Sequence, residues 1–229
     1  MTPRTALITG ASRGLGRALA DALSERGWHL VLDARDGARL TAAAPRDHAA
    51  AVPGDVTDPG HRASLAEAVG PRLDLLVNNA SELGPSPLPP LTELAPHDLR
   101  HVLDVNVVAP LALVQTVLPA LRQAGGAVLN ISSDAAVEAY AGWGGYGASK
   151  AALDQLTAVL AVEHPELRIY AVDPGDMATD MHQAAFPGED ISDRPAPETV
   201  VPSLLALIDS TLPSGRYRAA DVVPAEASR

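Results

Sequence analysis

The sequence predicts a doubly wound α/β fold, one parallel sheet with helices on both faces. Three observations carry the prediction. Short apolar runs alternate with helical patterns along the whole chain, which is the signature of strands joined by helical crossovers. One run, LDLLVNNA at residues 73–80, has a continuous apolar core that suits a strand buried on both faces. A glycine-rich turn, TGASRGLG at residues 9–16, separates the first apolar run from the first helical pattern.

In chain order, TALITG (5–10) is a short apolar run closed by glycine and reads as the first strand. RALADALSERG (17–27) sets Leu19, Ala22 and Leu23 on one helical stripe and stops at Gly27. WHLVLDA (28–34), the shorter AAVPGDV (50–56) and LDLLVNNA (73–80) are the next three strands. A long helix is expected over residues 96–122, kinked by Pro110. GAVLNIS (126–132) is a fifth strand, residues 146–164 a second long helix, and LRIYAVDPG (167–175) a sixth strand. ETVVPSLLALIDSTL (198–212) reads as a final helix and GRYRAADVV (215–223) as a last strand. The stretch 182–198, rich in Pro, Asp and Glu, reads as a lid over the ligand crevice. No repeat, low-complexity tract or domain boundary is evident, so residues 1–229 are expected to form a single domain.

Composition narrows the chemistry. The 229 residues, 47% hydrophobic and 20% charged, suit one soluble domain with a full core. Cysteine is absent, which removes disulfides, a thiolate nucleophile and a Cys-based zinc site. The opening MTPRTALITG lacks the long apolar region of a secretory signal, and the apolar segment 102–121 is interrupted by Asp104, Asn106 and Gln115. A cytoplasmic protein without a membrane span is the expectation. A net charge of −11 with no Lys/Arg-rich run argues against nucleic acid as a partner. His97 and His101 share a helical face, but no third ligand is apparent, so no metal is expected. No G-x-S-x-G hydrolase motif occurs.

Two motifs point to a positive function. Gly10, Gly14 and Gly16 allow a tight turn, close approach of a pyrophosphate and close helix–sheet packing, and the helix start adds free N–H groups. In YGASK, Tyr146 and Lys150 stand four positions apart, one turn of helix. Alone, such a pair is far more often two residues that merely share a helical face.

The order of TGASRGLG, GDV (54–56), NNA (78–80), Asn106, NISS (130–133), YGASK and DPGDMATDM (173–181) resembles the short-chain dehydrogenases/reductases over nearly the entire chain. The resemblance implies a Rossmann-type fold, a nicotinamide dinucleotide, a small carbonyl or alcohol substrate, and a homodimer or homotetramer. It places Ser12, Arg13 and Leu15 with Gly10, Gly14 and Gly16 around the pyrophosphate, and Asp55 and Val56 around the adenine. It sets Asn78 and Ala80 at the adenosine ribose and sheet floor. Thr179, following Pro174 and Gly175, would hold the nicotinamide carboxamide. Ser133, thirteen residues before Tyr146, would hold the substrate oxygen, with Ser132 the less favoured neighbour. Tyr146 would be the proton donor and Lys150 the cation that lowers its pKa and binds the ribose. Asn106 would anchor a water in a proton relay to the lysine. Two departures stand out: Ser81 replaces the usual glycine after NNA, and the carboxyl end lacks the common glycine-rich finish.

Between Ser133 and Tyr146, Tyr140 and Trp143 could wall the substrate space for a flat or cyclic carbonyl compound, beside Asp134 and Glu138. For the cofactor, Asp33 lies near the acidic position of the generic dinucleotide rule and would favour NAD. In the family register that position falls on Ala34, with Arg35 next, which resembles members that use NADP; Arg13 would add a second charge. The leading expectation is an NADPH-dependent carbonyl reductase. Alternatives are an epimerase or dehydratase of the same fold, and a non-catalytic dinucleotide-binding protein.

Overall fold

A computed structural model describes residues 3–45 and 48–222. Seven strands form one sheet: β1 (Thr5–Ile8), β2 (His29–Ala34), β3 (Ala49–Pro53), β4 (Leu75–Asn78), β5 (Ala127–Ile131), β6 (Arg168–Asp173) and β7 (Gly215–Arg218). They lie in the order β3-β2-β1-β4-β5-β6-β7 and every neighbouring pair is parallel. The chain winds outward from β1 through β2 to β3, then returns to add β4 on the other side of β1. The carboxyl ends of β1 and β4 therefore flank the point where the winding reverses, which is where such sheets open a crevice.

Side-chain alternation along each strand divides the core into two layers. Ala6 and Ile8, Leu75 and Val77, Leu129 and Ile131, and Tyr170 and Val172 face one layer with α1 (Gly14–Glu25) and α8 (Val201–Asp209). Leu7, Val31, Leu76, Val128 and Ile169 face the other, against α3 (Pro59–Val69), α5 (Ala109–Ala124) and α6 (Gly144–Glu163). Strands β4 and β5 are buried at every residue, which is why their sequences read as continuous apolar runs.

The sequence reading passed over α2 (Gly37–Ala43) and α3, neither of which carries an apolar stripe; the buried positions of α3 are His61, Leu65 and Val69. The long helix is present but is not bent by Pro110. Instead α4 (Pro96–Leu103) passes through a wider π turn, Asp104–Val108, into α5, and Pro110 sits harmlessly in the first turn of α5. Within the run Pro96–Ala124, 29 residues long, an 18-residue window reaches a mean hydropathy of 1.6, enough by length and composition for a membrane span. In this fold Leu113, Val114, Val117 and Leu121 are spent on the core layer they share with the sheet. The segment 182–198 begins inside a short helix, α7 (Asp180–Ala185). The last strand is shorter than expected, since residues Ala219–Asp221 turn away in a 3₁₀ helix and Val223 lies outside the described residues.

Candidate active site

A cavity of about 640 Å³ opens at the carboxyl ends of the strands, between the glycine turn and the start of α6. Its floor is a closed hydrogen-bond network. The Thr9 hydroxyl oxygen accepts from the Asn79 and Ala80 N–H groups, both at 3.0 Å. The Asn79 amide donates to the Thr9 and Gly10 carbonyls at 2.9 and 3.1 Å. Gly10 has φ +66°, and a Cβ there would lie 2.9 Å from Ala80 Cα. At Gly16 a Cβ would lie 2.6 Å from the Gly10 carbonyl oxygen and 2.5 Å from Asn79 Nδ2. Both positions require glycine. No side chain caps the first turn of α1, and Gly14 and Leu15 of that turn line the cavity. Free N–H groups at a helix start beside glycine backbone fit a dinucleotide pyrophosphate.

One wall comes from β5 and α6. Tyr146, Lys150, Leu153, Thr157 and Leu160 are buried at spacings of four, three, four and three, a single face of α6 turned to the sheet. The catalytic candidates are thus the cavity end of a core stripe. Lys150 Nζ donates to the Ile131 carbonyl at 2.8 Å and lies 5.4 Å from the Tyr146 ring centre. Burial lowers Lys150 to about 8, against a smaller upward pull from Asp154. Burial pushes the Tyr146 phenol up to about 12, hydrogen bonding from Ser81 and Ser133 draws it down, and Asp134 and Asp173 push it further up. Removal from water is thus the largest influence on the Tyr146 phenol.

Ser133 ends β5's exit and its hydroxyl donates to Asp134 Oδ1 at 2.9 Å. Ser132 Oγ is buried with no partner among the described residues and also lines the cavity. Trp143 meets Tyr146 edge to face with ring centres 5.7 Å apart and lies 5.9 Å from Phe186. Behind the wall, Arg216 of β7 donates to the Ser133 carbonyl at 2.9 Å and pairs with Asp154 at 2.9 Å.

The cavity brings together Gly10, Arg13, Gly14, Leu15, Ser133, Trp143, Tyr146, Lys150, Pro174, Gly175 and Thr179 of the expected residues. Others stand outside its lining. Arg35 is on the adjoining rim, 3.9 Å from Glu82, while Arg13 and Arg39 both pair with Asp180. Ser12 is partly exposed in the glycine turn. Asp55 Oδ1 accepts from the Thr57 N–H and hydroxyl, both at 2.8 Å, while Val56 packs with Ala80, Val105 and Ala109.

Two expected residues, Asn78 and Tyr140, lie elsewhere than expected. Asn78 does not reach the ribose side: it is buried in the sheet and donates to Asn130 Oδ1 at 2.8 Å, so Asn79 is the asparagine at the cavity. Strand alternation turns neighbouring asparagines to opposite sides. Tyr140 does not wall the substrate space: it is 43% exposed and its hydroxyl is shared between Asp134 and Glu138. Asn106 is buried outside the cavity lining, and its side-chain hydrogen bonds are all made within the protein. Its Nδ2 donates to the Glu82 carbonyl and Ser149 Oγ, and its Oδ1 accepts from the Glu82 N–H and Ser81 Oγ. Ser81, the departure from glycine, is accommodated through that 3.2 Å bond to Asn106. The sequence reading missed Thr9, Asn79 and Arg216. The doubled asparagine could have flagged Asn79; no local spacing points to Arg216. Among the described residues there is no cluster of metal-ligating side chains.

Residues 4–190 match the short chain dehydrogenase family. The chain is 37% identical over 174 residues to the short chain dehydrogenase asqE of Emericella nidulans, covering 70% of this chain and 64% of that protein. It thus spans less than two thirds of that relative's length. It is 34% identical over 203 residues to the sepiapterin reductase of Bos taurus, covering 78% of this chain and 74% of that enzyme. A crystal structure from Shigella flexneri, described as a short chain dehydrogenase complexed with NADP, superposes with a TM-score of 0.86. It is 29% identical and covers 95% of this chain and 97% of that one.

Proposed function

The chain belongs to the short-chain dehydrogenase/reductase family, and from that premise we propose that it reduces a ketone or aldehyde to an alcohol with NADPH. The reading rests on one juxtaposition: Ser133, Tyr146 and Lys150 face the same cavity as the glycine turn. The dinucleotide, when bound, supplies the hydride; the protein supplies the proton and the geometry. A phenol held up at about 12 is protonated at neutral pH, the state a proton donor to a developing alkoxide needs. Lys150, buried beside it, stabilises the phenolate left behind. Ser133 turns its hydroxyl from Asp134 to the substrate oxygen. Asn106 works as a positioning residue, tying Ser81 and Glu82 to the first turns of α6 through Ser149.

Trp143, Phe186 and Met181 cluster with Tyr146 at the substrate end, which favours a flat or cyclic carbonyl compound, and Asp134 disfavours a strongly anionic one. Arg13, Arg35 and Arg39 on the rim favour a 2′-phosphate. We read residues 1–229 as a single domain with 182–198 as its lid. We also read the protein as a cytoplasmic homodimer or homotetramer built on the long helices, whose Val108 and Val162 are 54% and 82% exposed. Turnover of a panel of ketones and quinones, with NADPH and NADH in parallel, tests the activity. No NADPH consumption with any carbonyl compound would defeat it, and NADH binding as tightly as NADPH would defeat the cofactor assignment.

A further inference from the structure

Asp33 is the acid that the generic dinucleotide rule would set on the ribose, yet it is 1% exposed. Strand alternation explains its direction. Leu32 and Ala34 belong to the layer with α1, whereas Val31 packs against the α3 side, and Asp33 shares Val31's face. There it meets His61, the buried histidine in α3, with Oδ1 and Nε2 only 2.6 Å apart. Its carboxylate also receives the Gly10 N–H, and its own carbonyl accepts from Ala11 N at 2.8 Å. The imidazole is fixed in turn. A Cβ on Gly54 would lie 2.3 Å from His61 Nδ1, so the ring is packed against the backbone that leads into Asp55. Arg35 follows at the rim with its side chain 64% exposed.

The strand end thus hides a carboxylate and presents a guanidinium. Without its histidine the carboxylate would be a buried charge short of a partner, a costly state that a turn toward water relieves. Gly10, whose backbone N–H lies beside that carboxylate, lines the crevice. We propose that His61 is a specificity-determining positioning residue: by holding Asp33 inside the fold it keeps a carboxylate off the ribose 2′ position and leaves that position to a phosphate. The inference rests on the NADPH assignment above and is tested apart from it.

The test is a set of dissociation constants for NADPH and NADH with the intact protein and four variants. His61→Leu lowers the NADPH-over-NADH preference by about tenfold or more, through weaker NADPH binding. His61→Gln, which keeps a donor, retains most of the preference, and Asp33→Ser/His61→Leu recovers it. Asp33→Ser alone leaves NADH affinity within about threefold, because Asp33 makes no ribose contact. A folded His61→Leu protein with the wild-type ratio overturns the proposal, and so does a double variant that fails to recover. If His61→Leu does not fold, Asp33→Ser decides by itself: an NADH affinity reduced about tenfold puts Asp33 on the ribose and ends the proposal. Wild-type protein that prefers NADH would remove the NADPH assignment, while Asp33→Ser still reports whether Asp33 touches the ribose.

Discussion

The floor and the wall of the cavity are held by opposite means. In the floor, Thr9 and Asn79 satisfy one another and the glycine turn, and beneath them Asn78, Asn130 and Thr157 form a chain of bonds ending on the Leu153 carbonyl. In the wall, Ser132 Oγ has no partner among the described residues, Lys150 holds a single carbonyl, and Ser133 is bonded to a neighbouring carboxylate. A fully satisfied network fixes one backbone shape, whereas buried groups with spare capacity cost free energy until something binds. On the proposed function the floor sets shape and the wall does the chemistry, and each can be broken without the other.

The largest separation comes from Tyr146→Phe, which keeps the ring against Trp143 and removes the proton. Reduction should fall by about 10²–10⁴-fold while melting temperature and NADPH affinity stay near wild type. Steady-state kinetics that show a loss of less than about tenfold would take the phenol out of the wall's chemistry.

Lys150 sharpens the contrast through pH. Its folded pKa, about 8, is below the ordinary 10.5, so between those values the unfolded chain binds more protons than the folded one. Its penalty on stability is therefore fully present below about pH 8 and is relieved as pH rises toward 10.5, a change of roughly 3 kcal/mol at most. Denaturant unfolding of wild type and Lys150→Met across that window should show wild type gaining on the variant. Parallel curves would mean that the lysine is solvated.

Gly16→Ala attacks the floor alone. The added methyl must displace Asn79 or the Gly10 carbonyl, at a cost of roughly 1–3 kcal/mol. NADPH binding, measured by titration, should weaken, while turnover at saturating NADPH changes much less. A loss confined to turnover would reverse the assignment of floor and wall. The smallest effect is expected from Asp134→Ala, which frees the Ser133 hydroxyl. The substrate KM should drop by about two- to threefold with little change in kcat. A raised KM would mean that Asp134 orients Ser133 for the substrate rather than competing with it.

The same contrast marks what could be read from sequence. Glycines at 10, 14 and 16 and the Tyr146–Lys150 pair are local spacings on one strand–helix junction and one helix, so their geometry follows from backbone periods. The buried strands were legible because β4 and β5 have no exposed face. What escaped depends on direction or distance. Asn78 and Asn79 are chemically identical, and only the strand's pleat decides which meets the cavity. Tyr140 and Trp143 share a loop, and the carboxylates of Asp134 and Glu138 draw the tyrosine outward. Helix α3 has a histidine in its buried stripe where a sequence pattern would look for an aliphatic residue, because that histidine is matched to Asp33 on another element.

Arg216 sets an order of assembly. The upper layer of the floor joins residues about seventy positions apart, Thr9 with Asn79 and Ala80, while the bonds beneath it wait for Asn130 and Thr157. The Ser133 carbonyl is anchored by a residue 83 positions further on, in a strand at the sheet's far edge. A chain emerging from the ribosome can thus fold its nucleotide platform early, while the loop that carries Ser133 stays unanchored until β7 docks. The position of Ser133 thus depends on a strand that follows it by 83 residues in the chain.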